Sequence, residues 1–561
     1  MIILGINVGK NVDNAQARDG GACLLIDGVI SGAIAEERLT RNKYCGGYKQ
    51  AVDHLLKQAS ISIEDVDIIA VSCYGCEPDI NLFKDLDFPK SCKVVMVPSH
   101  HLSHACSAFY PSGFDKSLIL VADNEGNILG PRTHKEMWKN SMERLSLYMG
   151  EDTKVELIER DMDQEDQVSL GELYGNMTRF VGFHSYLQAG KTMALASFGN
   201  PKHFANVPLI ECLDGGKIRC PMRNEYMNSS KEIIRYFSLF GHKLPPERNA
   251  ATTSPDGIWT DLAATLQNQL EQALLHKVKY WVQKTGCRSL CLAGGVALNC
   301  VANRKLFDET PLERIYVQPN AGDQGQSLGN VLYVWHTLLN KKEKVKIPGN
   351  GVYLGGEYAE KECIAALEKH KDALQYSKSN DVINDTACML NDGAIVGWFQ
   401  GRSEWGPRAL GNRSILASPC DVKMRDYIND AVKHRESFRP FAPVVPLEVA
   451  DKYFKTSFPC PTMTVIANVT DEAYKSIPAT VHVDGTARIQ TVTAEENKLL
   501  HNLLHKFASY SNVPVLLNTS FNDNNEPIVE TPEDAIRTFI NTHMNTLVLG
   551  NIIVHKKEQG R

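Results

Sequence analysis

Two strand-and-turn units of the same kind constrain the fold of this chain more than any other feature. The first begins with an apolar strand at residues 2–8, passes through a polar, glycine-rich turn, and continues as strands 21–26 and 30–35 joined by Asp-Gly. The second begins with the apolar run 118–123 and passes into Asn-Glu-Gly. This echo predicts two similar α/β halves that enclose a cleft.

Later segments repeat the alternation of helix, strand and glycine turn. Residues 260–284 carry apolar side chains at helical spacing, and residues 289–295 form a predicted strand that runs into two glycines. Both patterns are typical of an α/β protein.

A charged stretch closed by Pro-Gly-Asn-Gly marks the predicted domain boundary. The chain has 561 residues, enough for roughly three or four compact units or two large composite domains. We predict a first domain at 1–340, a linker at 341–351 and a second domain at 352–561. A solvated loop within one domain is the alternative interpretation of this charge run.

The composition is that of a globular protein. With 43% hydrophobic and 22% charged residues, it excludes a largely disordered, collagen-like or coiled-coil chain, and the net charge of −6 argues against a broad surface for nucleic acid. We find no signal-peptide pattern at residues 1–6 and no apolar run of the ~20 residues that a membrane helix needs. The 15 scattered cysteines fit a reducing compartment, so we expect a cytoplasmic protein without a membrane or nucleic-acid partner.

Two histidines and two aspartates indicate a candidate metal site. His100 and His104 are four residues apart in a helical stretch, so both imidazoles project from one helix face. Asp123 ends an apolar strand, and Asp323 lies in a turn with glycines on both sides. Two neutral nitrogens and two carboxylate oxygens would suit Fe²⁺, Mn²⁺ or Zn²⁺ more than Ca²⁺. Solvated or hydrogen-bonded structural histidines are the alternative.

Two glycine-containing turns are candidates for holding phosphate. Lys191 directly follows a turn glycine, whereas Gly294 and Gly295 follow a strand and open toward a helix that begins near Asn299. Such turns can present backbone N–H groups to phosphate. Neither is a Walker A loop, and ordinary tight turns are the alternative.

The second predicted domain concentrates cations around short turns. Glycine, proline and aromatic residues separate these cations, so we expect them around an anion pocket rather than on a solvated helix. A nucleic-acid groove is the rival interpretation, which the acidic net charge disfavours. The cations are Arg402, Arg408, Arg413, Lys433, Arg435 and Arg439. Two later strand-like segments end in polar side chains that could complete this pocket: Arg488, Asn518, Thr519 and Ser520. Ordinary polar groups at strand ends are the alternative interpretation.

Two motifs carry a resemblance to a known family. Residues 406–417 read Gly-Pro-Arg-Ala-Leu-Gly-Asn-Arg-Ser-Ile-Leu-Ala, and residues 438–443 read Phe-Arg-Pro-Phe-Ala-Pro. From Leu4 to the C-terminal strands, the chain resembles the ATP-dependent O-carbamoyltransferases that modify nodulation factors and antibiotics, the tobramycin carbamoyltransferase among them. The resemblance implies an N-terminal actin-like ATPase-superfamily domain, similar to tRNA threonylcarbamoyl-transfer proteins. It also implies a C-terminal α+β domain similar to threonylcarbamoyl-AMP synthases.

The resemblance also implies a chemistry. The C-terminal domain would make carbamoyl-adenylate from carbamoyl phosphate and ATP, and the N-terminal domain would pass the carbamoyl group to a hydroxyl of a small metabolite, such as an antibiotic. Fe²⁺ is the metal of the family, with Mn²⁺, Zn²⁺ or Mg²⁺ as alternatives. By resemblance, the carbamoyl and phosphate groups are bound by Arg408, Lys433, Arg488, Asn518 and Ser520, the nucleotide by Lys191, Gly294, Gly295 and Asn299, and the metal by His100, His104, Asp123 and Asp323.

The chain departs from the family in the first turn after strand one. Members commonly carry a His-Asp pair there, near the acceptor hydroxyl, and this chain has Arg18 and Asp19. Asp19 is therefore the expected general base, unless the acceptor brings its own polarised nucleophile. The adjoining loop 11–16 is expected to shape the acceptor pocket.

Two other functions remain open. One is a kinase or ATPase of the actin-like superfamily whose second domain is regulatory, which would not need the second anion pocket. The other is a tRNA-modification subunit that transfers carbamoyl-type groups, which the net charge of −6 disfavours.

Overall fold

The computed structural model describes two compact units. The described residues are all of 1–561 except 10–17, 87, 130–141, 163–167, 223–229, 247, 249–254, 256, 457 and 558–561, so the predicted loop 11–16 lies outside them. The first unit contains Met1–Glu36 and Cys45–Lys346, and the second contains Glu37–Tyr44 and Ile347–Arg561. The division after Lys346 falls inside the predicted linker, whereas no pattern in the sequence assigned the short stretch 37–44 to the second unit.

The helices and strands alternate along both units. The strands are β1 (Ile2–Asn7), β2 (Gly21–Ile26), β3 (Val29–Ala35), β4 (Ile68–Ser72), β5 (Lys93–Met96), β6 (Lys116–Ala122), β7 (Glu143–Glu151), β8 (Lys154–Met162), β9 (Glu211–Leu213), β10 (Lys217–Arg219), β11 (Ser289–Ala293), β12 (Arg314–Val317), β13 (Leu374–Lys378), β14 (Val396–Phe399), β15 (Arg413–Ala417), β16 (Ala442–Pro446), β17 (Phe454–Lys455), β18 (Ile466–Val469), β19 (Thr486–Arg488), β20 (Gln490–Val492), β21 (Leu516–Ser520), β22 (Thr546–Leu549) and β23 (Ile552–Lys556). The α-helices are α1 (Glu36–Thr40), α2 (Lys49–Ala59), α3 (His100–Phe109), α4 (Leu170–Phe180), α5 (Ala189–Ala196), α6 (Ser230–Ser238), α7 (Gly257–Thr285), α8 (Cys300–Asp308), α9 (Gln326–Leu332), α10 (Glu360–Glu368), α11 (Val382–Asn391), α12 (Lys423–Tyr427), α13 (Asp471–Ser476), α14 (Lys498–Ser511) and α15 (Pro532–Asn541).

The first unit contains two five-stranded sheets of the same topology. In one, with the order β3-β2-β1-β4-β5, the central β1 pairs antiparallel with β2 and parallel with β4. In the other, with the order β12-β11-β6-β7-β8, the central β6 pairs antiparallel with β7 and parallel with β11. Each sheet is thus an antiparallel meander extended by two parallel strands. This duplication confirms the two similar α/β halves that the sequence predicts.

The ends of several elements of the first unit converge on one region. Helix α3 follows β5, Asp123 follows the last residue of β6, and Gly294 follows the last residue of β11. Helix α9 packs closely on α3 at Gly329. A Cβ at this position would lie 2.0 Å from the main-chain oxygen of Ser103. Loops at the carboxyl ends of parallel strands are the usual ligand sites of α/β sheets. The topology therefore places the predicted metal ligands where this fold class binds ligands.

The second unit is built on an eight-stranded mixed sheet with helices on both faces. Its order is β13-β23-β22-β14-β15-β21-β16-β20, and a three-stranded sheet of β17, β18 and β19 lies beside it. Neighbouring residues of β14 point to opposite faces, since Phe399 shares a core cluster with Phe539 of α15 whereas Trp398 shares another with Phe507 of α14. This alternation buries both faces of the sheet and confirms the mixed α/β class.

None of the described helices combines enough residues with enough apolar character to cross a bilayer.

Candidate functional site

Helix α3 presents two buried histidines on one face. Ser99 caps the helix, its hydroxyl accepting a hydrogen bond from the backbone N–H of Leu102 at 3.1 Å. His100 and His104 are one turn apart and are 1% and 0% exposed. Imidazoles cost free energy when they are buried without partners, so such a pair requires polar neighbours.

Asp123 and Asp323 supply those neighbours. The Nε2 atoms of His100 and His104 each lie 3.2 Å from Oδ2 of Asp123 and 3.3 Å from Oδ1 of Asp323. One ligand atom from each of the four side chains lies within 4.8 Å of all the others. The structure thus brings together the four residues that the sequence and the resemblance proposed as metal ligands. Two imidazole nitrogens and two carboxylate oxygens fit a divalent transition metal.

Surrounding backbone groups orient the ligand atoms toward one another. Nδ1 of His100 lies 3.2 Å from the main-chain oxygen of Cys73, so Nδ1–H can donate there while Nε2 faces the other three side chains. Oδ1 of Asp123 accepts from the N–H groups of Asn124 at 2.8 Å and Gly295 at 3.0 Å, which leaves Oδ2 for the site. Such outer contacts are typical of side chains that hold a metal.

The four side chains also shift one another's protonation. Burial acts to lower the pKa of His100, but Asp323 and Asp123 outweigh it and raise the pKa to about 10. Burial and Asp123 act to raise the pKa of Asp323, but His100 and His104 lower it to about 2. Protons on the imidazoles therefore balance two buried carboxylates, and a divalent cation could replace that positive charge.

Gln326 also belongs to this site, although the sequence analysis did not single it out. Its side-chain nitrogen lies 3.0 Å from Nε2 of His100, 3.3 Å from Nε2 of His104 and 3.5 Å from Oδ1 of Asp323. Its side-chain oxygen is buried without a hydrogen-bond partner among the described residues. Gln326 follows Asp323 by three residues, a spacing that brings the two side chains together once a short helix forms there.

Asp19 adjoins the metal ligands through a shared partner. The side-chain amide of Asn7 donates to the main-chain oxygen of Asp19 at 2.9 Å and to that of Asp323 at 2.8 Å. Arg18, beside Asp19, donates to the hydroxyl of Tyr186 at 2.9 Å. Burial acts to lower the pKa of Arg18, but Asp323, Tyr186 and Asp19 raise it overall. Arg18 therefore stays charged and cannot replace the family's histidine as a base.

The predicted nucleotide residues lie in different settings. Gly294 and Gly295 adjoin the metal ligands through the Gly295–Asp123 hydrogen bond. The side-chain oxygen of Asn299 caps α8, and its amide nitrogen donates to Gln267 at 2.8 Å, so its side chain serves the protein framework. Lys191 is half-buried on α5, with Nζ 5.6 Å from the ring centre of Phe183. Nucleotide binding by these four residues stays a prediction.

The Gly294 turn requires glycine. Its φ is +85°, and a Cβ there would lie 2.3 Å from the main-chain oxygen of Ala122. We expect Gly294→Ala to destabilise the protein by about 1–3 kcal/mol and to lower its thermal unfolding temperature. The matched control is Gly322→Ala, since a Cβ on Gly322 meets nothing within 4 Å. Equal melting temperatures for the two variants in a calorimetric scan would contradict this assignment.

In the second unit, Lys433 is buried against oxygen atoms. Its ammonium group donates to the main-chain oxygen of Ser520 at 2.9 Å and to the side-chain oxygen of Asn522 at 2.7 Å. The hydroxyl of Ser520 donates to the same Asn522 oxygen at 2.6 Å. Lys433 and Ser520, which the resemblance assigned to one pocket, therefore lie side by side.

Further cations surround Lys433. Burial and the charges of Arg435, Arg439 and Lys43 outweigh the opposing charge of Asp523 and hold the pKa of Lys433 well below its usual range. Burial, Arg439 and Arg488 do the same to the pKa of Arg435. Nη2 of Arg435 is buried and has no hydrogen-bond partner within the described part of the chain. We call Lys433, Arg435, Arg439, Lys43 and Arg488 the cation cluster. Cations that depress one another's pKa values indicate a place that an anion would stabilise.

Asn518 contacts the backbone of the residue that follows Arg408. The side-chain nitrogen of Asn518 donates to Gln490 at 2.7 Å and to the main-chain oxygen of Ala409 at 3.3 Å, directly after Arg408. Asn518 is 1% exposed. Its side-chain oxygen is buried and has no hydrogen-bond partner among the described residues. Such a buried acceptor is suited to an amide donor such as a carbamoyl nitrogen.

Arg413 corrects the sequence analysis. It is fully buried, and it donates to the main-chain oxygens of Gln400 at 2.6 Å and Gly356 at 3.0 Å. Its guanidinium lies 3.6 Å from the ring centre of Phe399. The expectation that Arg413 lines an anion pocket is wrong, because its donors serve backbone carbonyls. The amino-acid sequence of the motif does not distinguish an arginine that binds backbone carbonyls from one that binds a ligand.

A segment from the start of the chain forms part of the second unit. Arg41 donates to the main-chain oxygens of Pro527 at 2.8 Å and Ile528 at 2.7 Å. Arg38 donates to the main-chain oxygen of Gly406 at 2.7 Å, within the first family-like motif. These contacts fix the segment that brings Lys43 into the cation cluster.

Comparison with known proteins identifies the family. Models described as Carbamoyltransferase N-terminus and Carbamoyltransferase C-terminus match residues 82–332 and 387–556. Nodulation protein NolNO of Sinorhizobium fredii is 32% identical, over 99% of this chain and 83% of that protein. Nodulation protein NolO of Bradyrhizobium diazoefficiens is 35% identical, over 82% and 79%. The 3'-hydroxymethylcephem-O-carbamoyltransferase of Amycolatopsis lactamdurans is 29% identical, over 66% and 65%. The resemblance inferred from the motifs is thus confirmed, and this chain belongs to the carbamoyltransferase family.

Proposed function

We propose that this protein activates carbamoyl phosphate with ATP to carbamoyl-adenylate and transfers the carbamoyl group to a hydroxyl of a small metabolite. The cation cluster is the observation that carries this proposal. A carbamoyltransferase must hold an anionic carbamoyl donor, and the cluster gathers four further cations around the buried Lys433. The chemistry follows in two halves, one for each unit.

Activation is assigned to the second unit. Carbamoyl phosphate and water would give carbamate and orthophosphate, and a carbamate oxygen would attack the α-phosphorus of ATP with loss of pyrophosphate. Lys433, Arg408 and Arg488 are proposed to hold the phosphate oxygens, because fixed cations stabilise charge that develops on phosphate. Asn518 is proposed to accept a hydrogen bond from the carbamoyl nitrogen, since its buried oxygen has no partner among the described residues.

Transfer is assigned to the first unit. His100, His104, Asp123 and Asp323 are proposed to hold a divalent metal, with Fe²⁺ favoured by the resemblance. Such an ion supplies Lewis acidity toward a bound phosphate or carbonyl oxygen. Asp19 is proposed to take the proton of the acceptor hydroxyl while the hydroxyl oxygen bonds to the carbamoyl carbon and AMP leaves. Lys191, Gly294 and Gly295 are proposed to position the nucleotide.

The test is a reaction without acceptor. The purified protein is mixed with ATP and carbamoyl phosphate, and the products are separated and identified by mass spectrometry. We expect carbamoyl-AMP together with equal amounts of pyrophosphate and orthophosphate. Formation of ADP alone by metal-loaded protein would refute the proposal and support an actin-like kinase or ATPase instead.

Lys43 provides a finer test of the anion pocket. Its charge lowers the pKa of Lys433, and we propose that the same charge attracts the bound anion. We expect Lys43→Ala to raise the KM for carbamoyl phosphate roughly fivefold, or about 1 kcal/mol, in an assay of pyrophosphate release. The control is Lys57→Ala, an exposed lysine of α2 that should leave KM unchanged. The same KM for both variants would remove Lys43 from the pocket.

A further inference from the structure

We propose that the surface of the second unit carries an additional zinc-type metal site formed by Glu448, His501 and His505. These residues lie outside the catalytic groups assigned above. Glu448 belongs to a short 3-10 helix, Leu447–Lys452, that directly follows β16, and both histidines belong to α14. The site would therefore join two elements that are separated by about fifty positions in the sequence but adjacent in the fold.

The three ligand atoms converge at one point. His501 and His505 are four residues apart on α14, so their rings lie on one helix face with centres 4.6 Å apart. The Nε2 atoms of the two rings lie 2.8 Å and 2.9 Å from the same oxygen, Oε1 of Glu448. All three ligand atoms lie within 4.8 Å of one another. Two separate ion pairs would not require both rings to point at a single oxygen.

The chemistry of this group suits Zn²⁺. Two imidazoles and one carboxylate are a common set of three protein ligands for zinc, with a water completing the tetrahedron. Nδ1 of His501 is buried without a hydrogen-bond partner within the described residues, so the polar contact that orients this ring is made through Nε2. The exposed fractions of the His505 and Glu448 side chains are 47% and 49%, which leaves room for a metal and its water to enter. A zinc ion there would cross-link α14 to the end of β16.

Metal counting tests this inference. The full-length protein is stripped with a chelator, dialysed against zinc chloride and analysed for bound zinc, in parallel with its variants. We expect the His104→Ala protein, whose other candidate centre is disabled, to bind one equivalent of zinc. We expect His104→Ala/His505→Ala to lose that equivalent. A double variant that still binds one equivalent, or a His104→Ala protein that binds none, would overturn the inference.

A second readout separates metal binding from simple loss of structure. Zinc should raise the melting temperature of the His104→Ala protein in a concentration-dependent way, because a ligand that binds only the folded state stabilises it. The shift should disappear in the double variant. The matched control is His203→Ala in the His104→Ala background, since His203 pairs with a single carboxylate, Asp261, at 2.7 Å. This control should keep both the bound zinc and the shift. The outcome does not depend on the proposed transferase activity.

Discussion

Replacing His104 with alanine is expected to remove the metal proposed for the first unit and to abolish the carbamoyl transfer proposed there. His104 contributes one of four converging ligand atoms, 3.2 Å from Asp123 and 3.3 Å from Asp323. Its loss also leaves two buried carboxylates with less positive charge around them. We expect iron bound after reconstitution to fall to background, and transfer to an acceptor to fall by at least about 100-fold. Carbamoyl-AMP formation should continue, because it is assigned to the other unit.

The matched control for this variant is on the same helix. His101 is as buried as His104, but its Nδ1 lies 2.8 Å from the hydroxyl of Ser146 and it is not one of the four ligands. His101→Gln should therefore keep the metal and the transfer activity. Metal content, carbamoyl-AMP and transferred product are measured on each variant after circular dichroism shows that it is folded. If His104→Ala lost carbamoyl-AMP formation as well, the division of labour between the units would be wrong.

Replacing Lys433 with methionine is expected to stop carbamoyl-AMP formation. The substitution keeps the length of the side chain and removes the charge and donors at the centre of the cation cluster. Burial and neighbouring cations already hold the pKa of Lys433 well below its usual range, and a bound anion would favour its charged form. We expect the rate of pyrophosphate release to fall by about 10²- to 10³-fold, the size of effect found when one preorganised donor is removed from a charged transition state.

An exposed lysine serves as the reference for this second variant. Lys452→Met makes the same chemical change at the surface of the same unit and should leave the rate of pyrophosphate release unchanged. Iron content should be unaffected in both, because the four residues proposed to hold iron belong to the first unit. Normal pyrophosphate release by a folded Lys433→Met protein would mean that the activation site lies elsewhere.

Local sequence patterns were sufficient for much of the first unit. The spacing of His100 and His104 predicted a shared helix face, because helical periodicity is a property of neighbouring residues. The repeated strand-and-turn unit predicted two similar halves of the first unit, because each half begins with the same antiparallel meander. Asp323 is 219 positions from His104, so the sequence could offer it only as a carboxylate in a glycine turn, and the resemblance supported its place in the same site. Contacts over such distances depend on how the sheets fold, which no local pattern contains.

The cation-rich motifs gave a more mixed outcome. Lys433 and Ser520 lie together, as the resemblance implied, but Arg413 serves backbone carbonyls within the core. The neighbours that the folded chain places around each side chain decide between these roles, and an arginine in a turn-rich motif is compatible with both. Lys43 and Gln326 were missed, because each depends on a neighbour that only the folded chain provides.

The contribution of residues 37–44 to the second unit has a consequence for how this protein is made. Arg41 binds the carbonyl of Ile528 across 487 positions of sequence. A ribosome releases Arg41 first, and Ile528 follows only 487 residues later. Contacts of such long sequence separation form late and slow folding. The second unit should therefore reach its final structure only after translation, and a fragment that starts at residue 347 should remain incomplete unless the early segment is supplied as a peptide.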